Sequence, residues 1–254
     1  MSVEVTVEDH LLVVTINRPE ARNAVNDVVA QGIEAAIDRL EAEDDLWVGI
    51  LTGVPPVFSA GADLKMINAG RAADLATARG GFAGITRRER SKPVIAAVDG
   101  PALAGGTEMV LACDLVVASE SASFGIPEVK RSLVAAGGAL FRLPARIPFN
   151  VAMEWALTGD AVDAATAYRF GLVNHLCPAG GALDAARELA ARVTANAPVA
   201  VRESRRAMLE AAGGDEERGW DLSARAMAAA MGSEDFREGL TAFIEKRPPA
   251  WTGR

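Results

Sequence analysis

A mixed α/β fold followed by a helical C-terminal part is predicted by three observations. Short runs rich in β-branched residues alternate with amphipathic segments up to about residue 180, only helical patterns follow, and 254 residues suit one large core with an appendage. Half of the residues are hydrophobic and 24% are charged, the composition of a soluble folded domain. The net charge of -8 argues against a nucleic-acid partner, which needs a clustered positive face. Cys113 and Cys177 lie in apolar runs and read as two reduced thiols rather than a disulfide. His10 and His175 are too isolated to predict a metal site. With no leader-like start and no apolar run long enough to cross a bilayer, no membrane association is expected and the location expected is cytoplasmic.

The elements follow from local pattern. Residues 3–16 alternate apolar and polar positions around Glu8-Asp9-His10, as an antiparallel hairpin does. Asn26 is placed to cap a helix over 27–41, with Val29, Ile33, Ala36, Ile37 and Leu40 as its apolar stripe. A strand over 47–51 is stopped by Thr52-Gly53 and Pro55-Pro56. Residues 68–90 are charged, rich in Ala and Gly and weakly periodic, which predicts a mobile helical segment walling a pocket. Helices are expected over 150–158 and from Asp163, each capped in front and ended by Gly159 or Gly171, with a last strand over 172–176. From there the expectation is helical: 183–196, 199–212, 216–231 and 234–246.

The stretch 92–128 concentrates the chemistry. Val94 to Val98 reads as a buried strand, and Gly105 and Gly106 open a helix whose first turn leaves backbone N–H groups without intrahelical partners. Glu108 stands in that first turn among Met109, Val110, Leu111 and Ala112, and Glu128 follows at a loop edge. An acid in a first helical turn ordinarily serves the helix dipole, with roughly 0.3–1 kcal/mol of stabilisation. Apolar surroundings add a second meaning, because they raise a carboxyl pKa toward the range useful for proton transfer. A second turn of small residues, Phe58 to Leu64, leaves the Ala62 N–H free to donate to a ligand. No dinucleotide fingerprint, Walker motif or serine elbow appears. Two donor turns and two acids suit a reaction that builds negative charge on an oxygen while protons move nearby.

Those residues resemble the crotonase superfamily, the enoyl-CoA hydratases and isomerases, over nearly the whole chain. The likeness rests on Asn17-Arg18-Pro19-Glu20-Ala21-Arg22-Asn23-Ala24, Phe58 to Leu64, the run from Lys92 to Asp114, Phe124 to Glu128, Ala156 to Gly159, Gly171-Leu172-Val173 and Phe243 to Arg247. The resemblance implies a spiral of strand-strand-helix units over 1–195 that holds the acyl-CoA site, and a helical oligomerisation region over 196–254 that builds trimers or pairs of trimers. It implies an oxyanion hole from the N–H groups of Ala62 and Gly105, and two catalytic glutamates, Glu108 and Glu128, that hold and activate a water. Substrate contacts are implied at Arg22, Ala24, Ala60, Asp63, Leu64 and Gly106, with Arg22 toward phosphate and Ala60 and Leu64 near adenine. Phe243 and Lys246 are implied to reach a neighbouring subunit's site. No cofactor is implied beyond the coenzyme A carried by the substrate.

Retention of both acids favours hydration of a trans-2-enoyl-CoA. The alternatives are another reaction of the fold (double-bond isomerisation, dehydration of a substituted acyl-CoA, or thioester hydrolysis) and a protein that binds acyl-CoA without turnover. The chain departs from the family pattern in two places. Ala104 stands where a glycine is usual before Gly105-Gly106, and the run from Ser132 to Phe141 replaces the usual glycine- and proline-rich segment after the second acid.

Overall fold

The N-terminal hairpin forms from β1 (Val3–Glu8) and β2 (Leu11–Ile16), antiparallel with Val3 opposite Ile16. The computed structural model describes residues 2–131, 133–212, 225, 228, 229 and 231–254, and only the backbone of Leu240, Phe243 and Ile244. Helix α1 (Asp27–Ala42) begins where the sequence places it, with the Asn26 side chain accepting from the Val29 N–H at 2.9 Å. Such a cap contributes about 1 kcal/mol. The stripe from Val29 to Leu40 is buried, and β3 (Val48–Gly53) runs parallel to β2, buried along its length.

The helix expected over 68–90 is not found, although the segment does wall a large cavity, through Leu75, Thr77, Phe82 and Thr86 among others. After the short α2 (Leu64–Asn68) the chain makes a 3-10 turn and a minimal hairpin, β4 (Ala76–Thr77) with β5 (Gly81–Phe82). Gly81 and Gly84 adopt positive φ, +65° and +70°, which turns the chain away from a helix. What holds it is α1: Asp27, Glu34 and Asp38 receive Arg71, Arg79 and Arg88 from this segment.

Two strand-strand steps then stack on one another. β6 (Val94–Val98) joins the large sheet, β7 (Pro101–Leu103) leaves it for a second sheet, and α3 (Gly105–Ala112) follows. β8 (Leu115–Ser119) and β9 (Ser123–Gly125) repeat the step in parallel register, Leu115 beside Ile95 and Ser123 beside Pro101. No strand is expected at 115–119, because the apolar run of α3 continues into it with only Asp114 between and no glycine or proline to mark where the helix stops. Next come α4 (Ala139–Arg142) and α5 (Phe149–Thr158), which ends at Gly159 as expected but starts behind Pro148 with no side-chain cap. β10 (Val162–Asp163) leads into α6 (Ala164–Arg169), capped by Asp163 on the Thr166 N–H at 2.6 Å. The last strand, β11 (His175–Cys177), lies later than the 172–176 expected; Leu172 and Val173 are buried but stand ahead of its parallel ladder with β8.

The six-stranded sheet has the order β1-β2-β3-β6-β8-β11, and a three-stranded sheet β10-β9-β7 stands beside it. One face of the large sheet packs against α1. The other is covered by α7 (Ala182–Thr194), whose Ala182, Ala186, Leu189 and Ala190 meet Ile50, Ile95, Ala97 and Val117. Truncating Ile50 or Ile95 to alanine in such a core costs about 2–5 kcal/mol. α8 (Pro198–Ala211) is tied to this body by Arg205, which donates to Asp114 at 2.9 Å, and Asp114 also pairs with the buried Arg90. The last helix, α9 (Glu234–Glu245), is held through Asp235, whose carboxylate accepts from the N–H groups of Thr252 and Gly253. The helix expected over 216–231 falls mostly outside the described residues. Cys113 and Cys177 are both free thiols, and burial pushes the Cys113 thiol up to about 12. Among the described residues no helix is long and apolar enough to cross a membrane.

Candidate active site

Two buried turns meet under one large cavity. Asn23, with φ +53°, donates to the carbonyls of Val54 at 2.8 Å and Val57 at 2.6 Å and accepts from the Arg18 N–H. Ser59 Oγ donates to the Asn23 carbonyl and accepts from the Gly61 N–H. A parallel bridge then uses the groups on either side of Ala62: Val25 N–H donates to Gly61 O and Asp63 N–H to Val25 O. The Ala62 N–H is left without a partner among the described residues, and so is that of Gly105 at the start of α3. Gly61, at φ +85°, brings the turns together, since a Cβ there would lie 2.7 Å from Gly105 N. Gly106 is closed off differently: a side chain there would overlap the Ser59 carbonyl, so this residue packs behind the turn rather than lining the cavity.

Ala104, the first departure from the family pattern, takes φ +52° and ψ -125°, a conformation natural to glycine. Holding an alanine there stores on the order of 1–3 kcal/mol. The surrounding bonds impose it: Ala104 N–H donates to Gly125 O at 2.9 Å, and Thr107 Oγ1 lies within bonding distance of Ala102 O, Gly125 O and Gly125 N.

Glu108 is 5% exposed. Its Oε1 accepts the Ala139 N–H at 3.3 Å, and a Cβ on Gly137 would overlap its Oε2. Burial pushes its pKa up to about 7; the N–H of Ala139 opposes this, and the charge of Glu128 adds to it. The atypical run after the second acid therefore supplies both the glycine and the N–H that seat the first acid. Glu128 projects from a 3-10 turn, Pro127–Arg131. Its Oε2 is buried with no partner among the described residues, and burial raises its pKa against its own N–H and the charge of Arg131.

The cavity they share has a volume of about 1060 Å³, at the upper end of ligand sites. Ala62, Gly105, Glu108, Glu128, Arg22, Ala24, Ala60, Asp63 and Leu64 all line it. Asp63 is largely committed elsewhere: its carboxylate pairs with Arg18 at 3.2 Å and caps α2 through the Lys65 N–H. Lys246 is exposed and does not line the cavity of its own protomer, and the side chain of Phe243 lies outside the described residues. Sequence reasoning missed Gly137, Ala139, Arg142 and Phe82. Arg142 does not line the cavity but ties two residues that do, donating to Thr86 O at 2.6 Å and Gly137 O at 3.3 Å. Only the Gly137-Gly138 pair carried a local signal.

Known proteins match this architecture throughout. The family model described as enoyl-CoA hydratase/isomerase matches residues 6–254. The enoyl-CoA hydratase EchA19 of Mycobacterium tuberculosis is 40% identical over 252 residues, covering 96% of this chain and 94% of that protein. A carnitinyl-CoA dehydratase of Proteus mirabilis is 37% identical over 262 residues, covering 100% and 99%. The crystal structure of an enoyl-CoA hydratase from Mycobacterium tuberculosis H37Rv superposes with a TM-score of 0.96 at 47% identity, covering 100% and 99%. The chain belongs to the enoyl-CoA hydratase/isomerase family of the crotonase superfamily and is an enzyme, a hydro-lyase.

Proposed function

We propose that the protein adds water across the α,β double bond of a trans-2-enoyl-CoA thioester. The observation that carries this reading is the meeting, on one cavity, of two raised carboxyls, Glu108 and Glu128, with two N–H groups that have no partner among the described residues. The thioester oxygen lies between the N–H groups of Ala62 and Gly105, which draw electron density from C3. A water sits between the two carboxyls, which share one proton. The ionised member takes a proton from the water as its oxygen bonds C3, and the π electrons move onto the thioester oxygen as an enolate. Collapse of the enolate then draws the proton of the other carboxyl onto C2. The pair ends with its single proton exchanged between members, so the coupled titration belongs to both. Losing one oxyanion donor in such a site costs about 10²–10³ in rate.

Arg22 faces the coenzyme A phosphates, Ala60 and Leu64 its adenine, and Ala24 and Asp63 complete that wall. The same atoms in reverse expel water from a 3-hydroxyacyl thioester, and the 37% identical carnitinyl-CoA dehydratase favours dehydration as the second reading. The assembly proposed is a homotrimer or a pair of trimers built by the 196–254 region, in which Phe243 and Lys246 reach a neighbour's site. Two free thiols fit a cytoplasmic location.

Loss of the conjugated thioester absorbance across a panel of chain lengths tests the activity. Glu108→Gln and Glu128→Gln are each expected to lower kcat by about 10²–10⁴ with little change in affinity for coenzyme A. Near-full activity of Glu128→Gln would overturn the two-acid mechanism.

A further inference from the structure

Gly105 has no side chain to hold its peptide plane, yet its environment is crowded. A Cβ there would collide with the edge of the Phe82 ring and come 3.3 Å from Gly61 Cα. The ring thus fills the space a side chain would take and presses Gly105 against the Gly61 turn. Phe82 itself sits on the minimal hairpin, paired with Ala76, while Thr77 pairs with Gly81.

This hairpin is seated on α1 by two carboxylates: Asp38 takes the Arg79 side chain at 2.6 Å, and Glu34 holds the backbone and hydroxyl of the turn itself. Glu34, 17% exposed, accepts at Oε1 from Thr77 Oγ1 at 2.8 Å and from the Gly80 N–H at 2.9 Å. Gly80 N–H and Thr77 Oγ1 also bond each other at 3.0 Å, closing a three-membered network. On the far side of Phe82, Ala83 N–H donates to Leu75 O, and Gly84 lies so close to α1 that a Cβ would overlap the Ala30 carbonyl. Both ends of the turn that carries the ring are therefore fixed to the same helix. Glu34 does not line the cavity.

We propose that Glu34 is a positioning residue: by holding Thr77 and Gly80 it seats the Phe82 ring on Gly105 and so aims the Gly105 N–H into the cavity. The proposal rests on the oxyanion role given to Gly105 above. A misaimed donor weakens the transition state more than the ground state, so the loss appears in kcat rather than in KM.

The test compares wild type, Glu34→Ala, Glu34→Gln, Phe82→Ala and the double alanine variant. One readout is kcat and KM for a trans-2-enoyl-CoA. The other is the near-ultraviolet enolate band of bound acetoacetyl-CoA, which reports polarisation of a thioester without hydration. Glu34→Ala and Phe82→Ala are each expected to lower kcat about tenfold and weaken the band, with KM moving by less than about twofold. Glu34→Gln keeps a carbonyl oxygen for Thr77 and Gly80 and is expected to match wild type. The double variant is expected to be no worse than Phe82→Ala alone, because the two residues act in series. Wild-type kcat and band in Glu34→Ala, or losses that multiply in the double variant, would overturn the proposal. Should Glu34→Ala fail to fold, an intact band in Phe82→Ala overturns it equally. A wild-type protein that hydrates nothing yet shows the band refutes the hydratase reading alone, and the band series still decides Glu34. A wild-type protein that binds acetoacetyl-CoA without the band refutes the oxyanion role, and this proposal with it.

Discussion

Glu108 and Glu128 face one cavity with the same functional group, but they are held in opposite ways. Glu108 stands on a regular helix, one oxygen bonded to the Ala139 N–H and the other pressed by Gly137. Glu128 stands on a 3-10 turn with one oxygen buried and, among the described residues, without a partner, and Leu133 and Val134 nearby are exposed on the cavity side. The first arrangement fixes a carboxyl in position and leaves its charge unfavoured. The second leaves a carboxyl free to meet a water and places apolar side chains beside it. The proposed division is that the Glu108 side fixes position and the Glu128 side sets substrate choice.

Four changes would break or sharpen that division. The largest effect belongs to the paired glutamine substitutions, since each removes a proton carrier of the proposed mechanism, and the contrast lies in fold stability. Glu108→Gln removes a buried charge, whereas Glu128→Gln removes a less buried one. Next comes Gly137→Ala, which displaces the Glu108 carboxylate and is expected to lower kcat about 10²-fold while leaving the coenzyme A affinity intact. Steady-state kinetics with a coenzyme A titration read both quantities.

The third effect is on stability against pH. The folded pKa of Glu108 is raised from 4.5 to about 7, so the native state binds more protons than the unfolded chain between those values. Its favourable contribution is complete below about pH 4.5 and is lost as pH rises through about 7, a change of about 3 kcal/mol. Denaturant unfolding at pH 5 and pH 8 should show this fall in wild type and a smaller one in Glu108→Gln, where the raised Glu128 carboxyl remains, and Glu108→Gln is expected to be the more stable protein at pH 8. The smallest effect is Leu133→Ala, expected to raise KM for longer acyl chains by about tenfold or less while short-chain kcat is unchanged. A uniform loss across chain lengths would remove the specificity role from the Glu128 side.

What could be read from sequence was whatever depended on neighbours in the chain. Asn26 and its stripe gave α1, Gly159 the end of α5, and the small-residue turn at Phe58 to Leu64 the donor at Ala62. The segment 68–90 was illegible because its conformation comes from acids on α1 more than 40 positions earlier: Thr77 answers to Glu34, and Arg79 and Arg88 to Asp38. β8 escaped for a local reason: its apolar run follows that of α3 with only Asp114 between, so nothing marks the boundary. At the site, the two acids and both donor turns were visible as motifs. Of the residues packed against them, Ala139 and Phe82 meet them across the fold and leave no local pattern, and only Gly137, in its glycine pair, carried a signal. The departures from the family pattern were visible too, but their sense was not: the run after Glu128 turns out to seat Glu108.

Burial of Cys113 has a practical consequence. Its thiol lies in the core behind α3, and at a pKa of about 12 it carries almost no thiolate at neutral pH. Alkylating reagents are therefore expected to reach it only in molecules whose core has opened, whereas Cys177 is partly exposed in the folded chain. The slow phase of thiol labelling is a built-in clock for opening of the domain, readable by mass without any added probe.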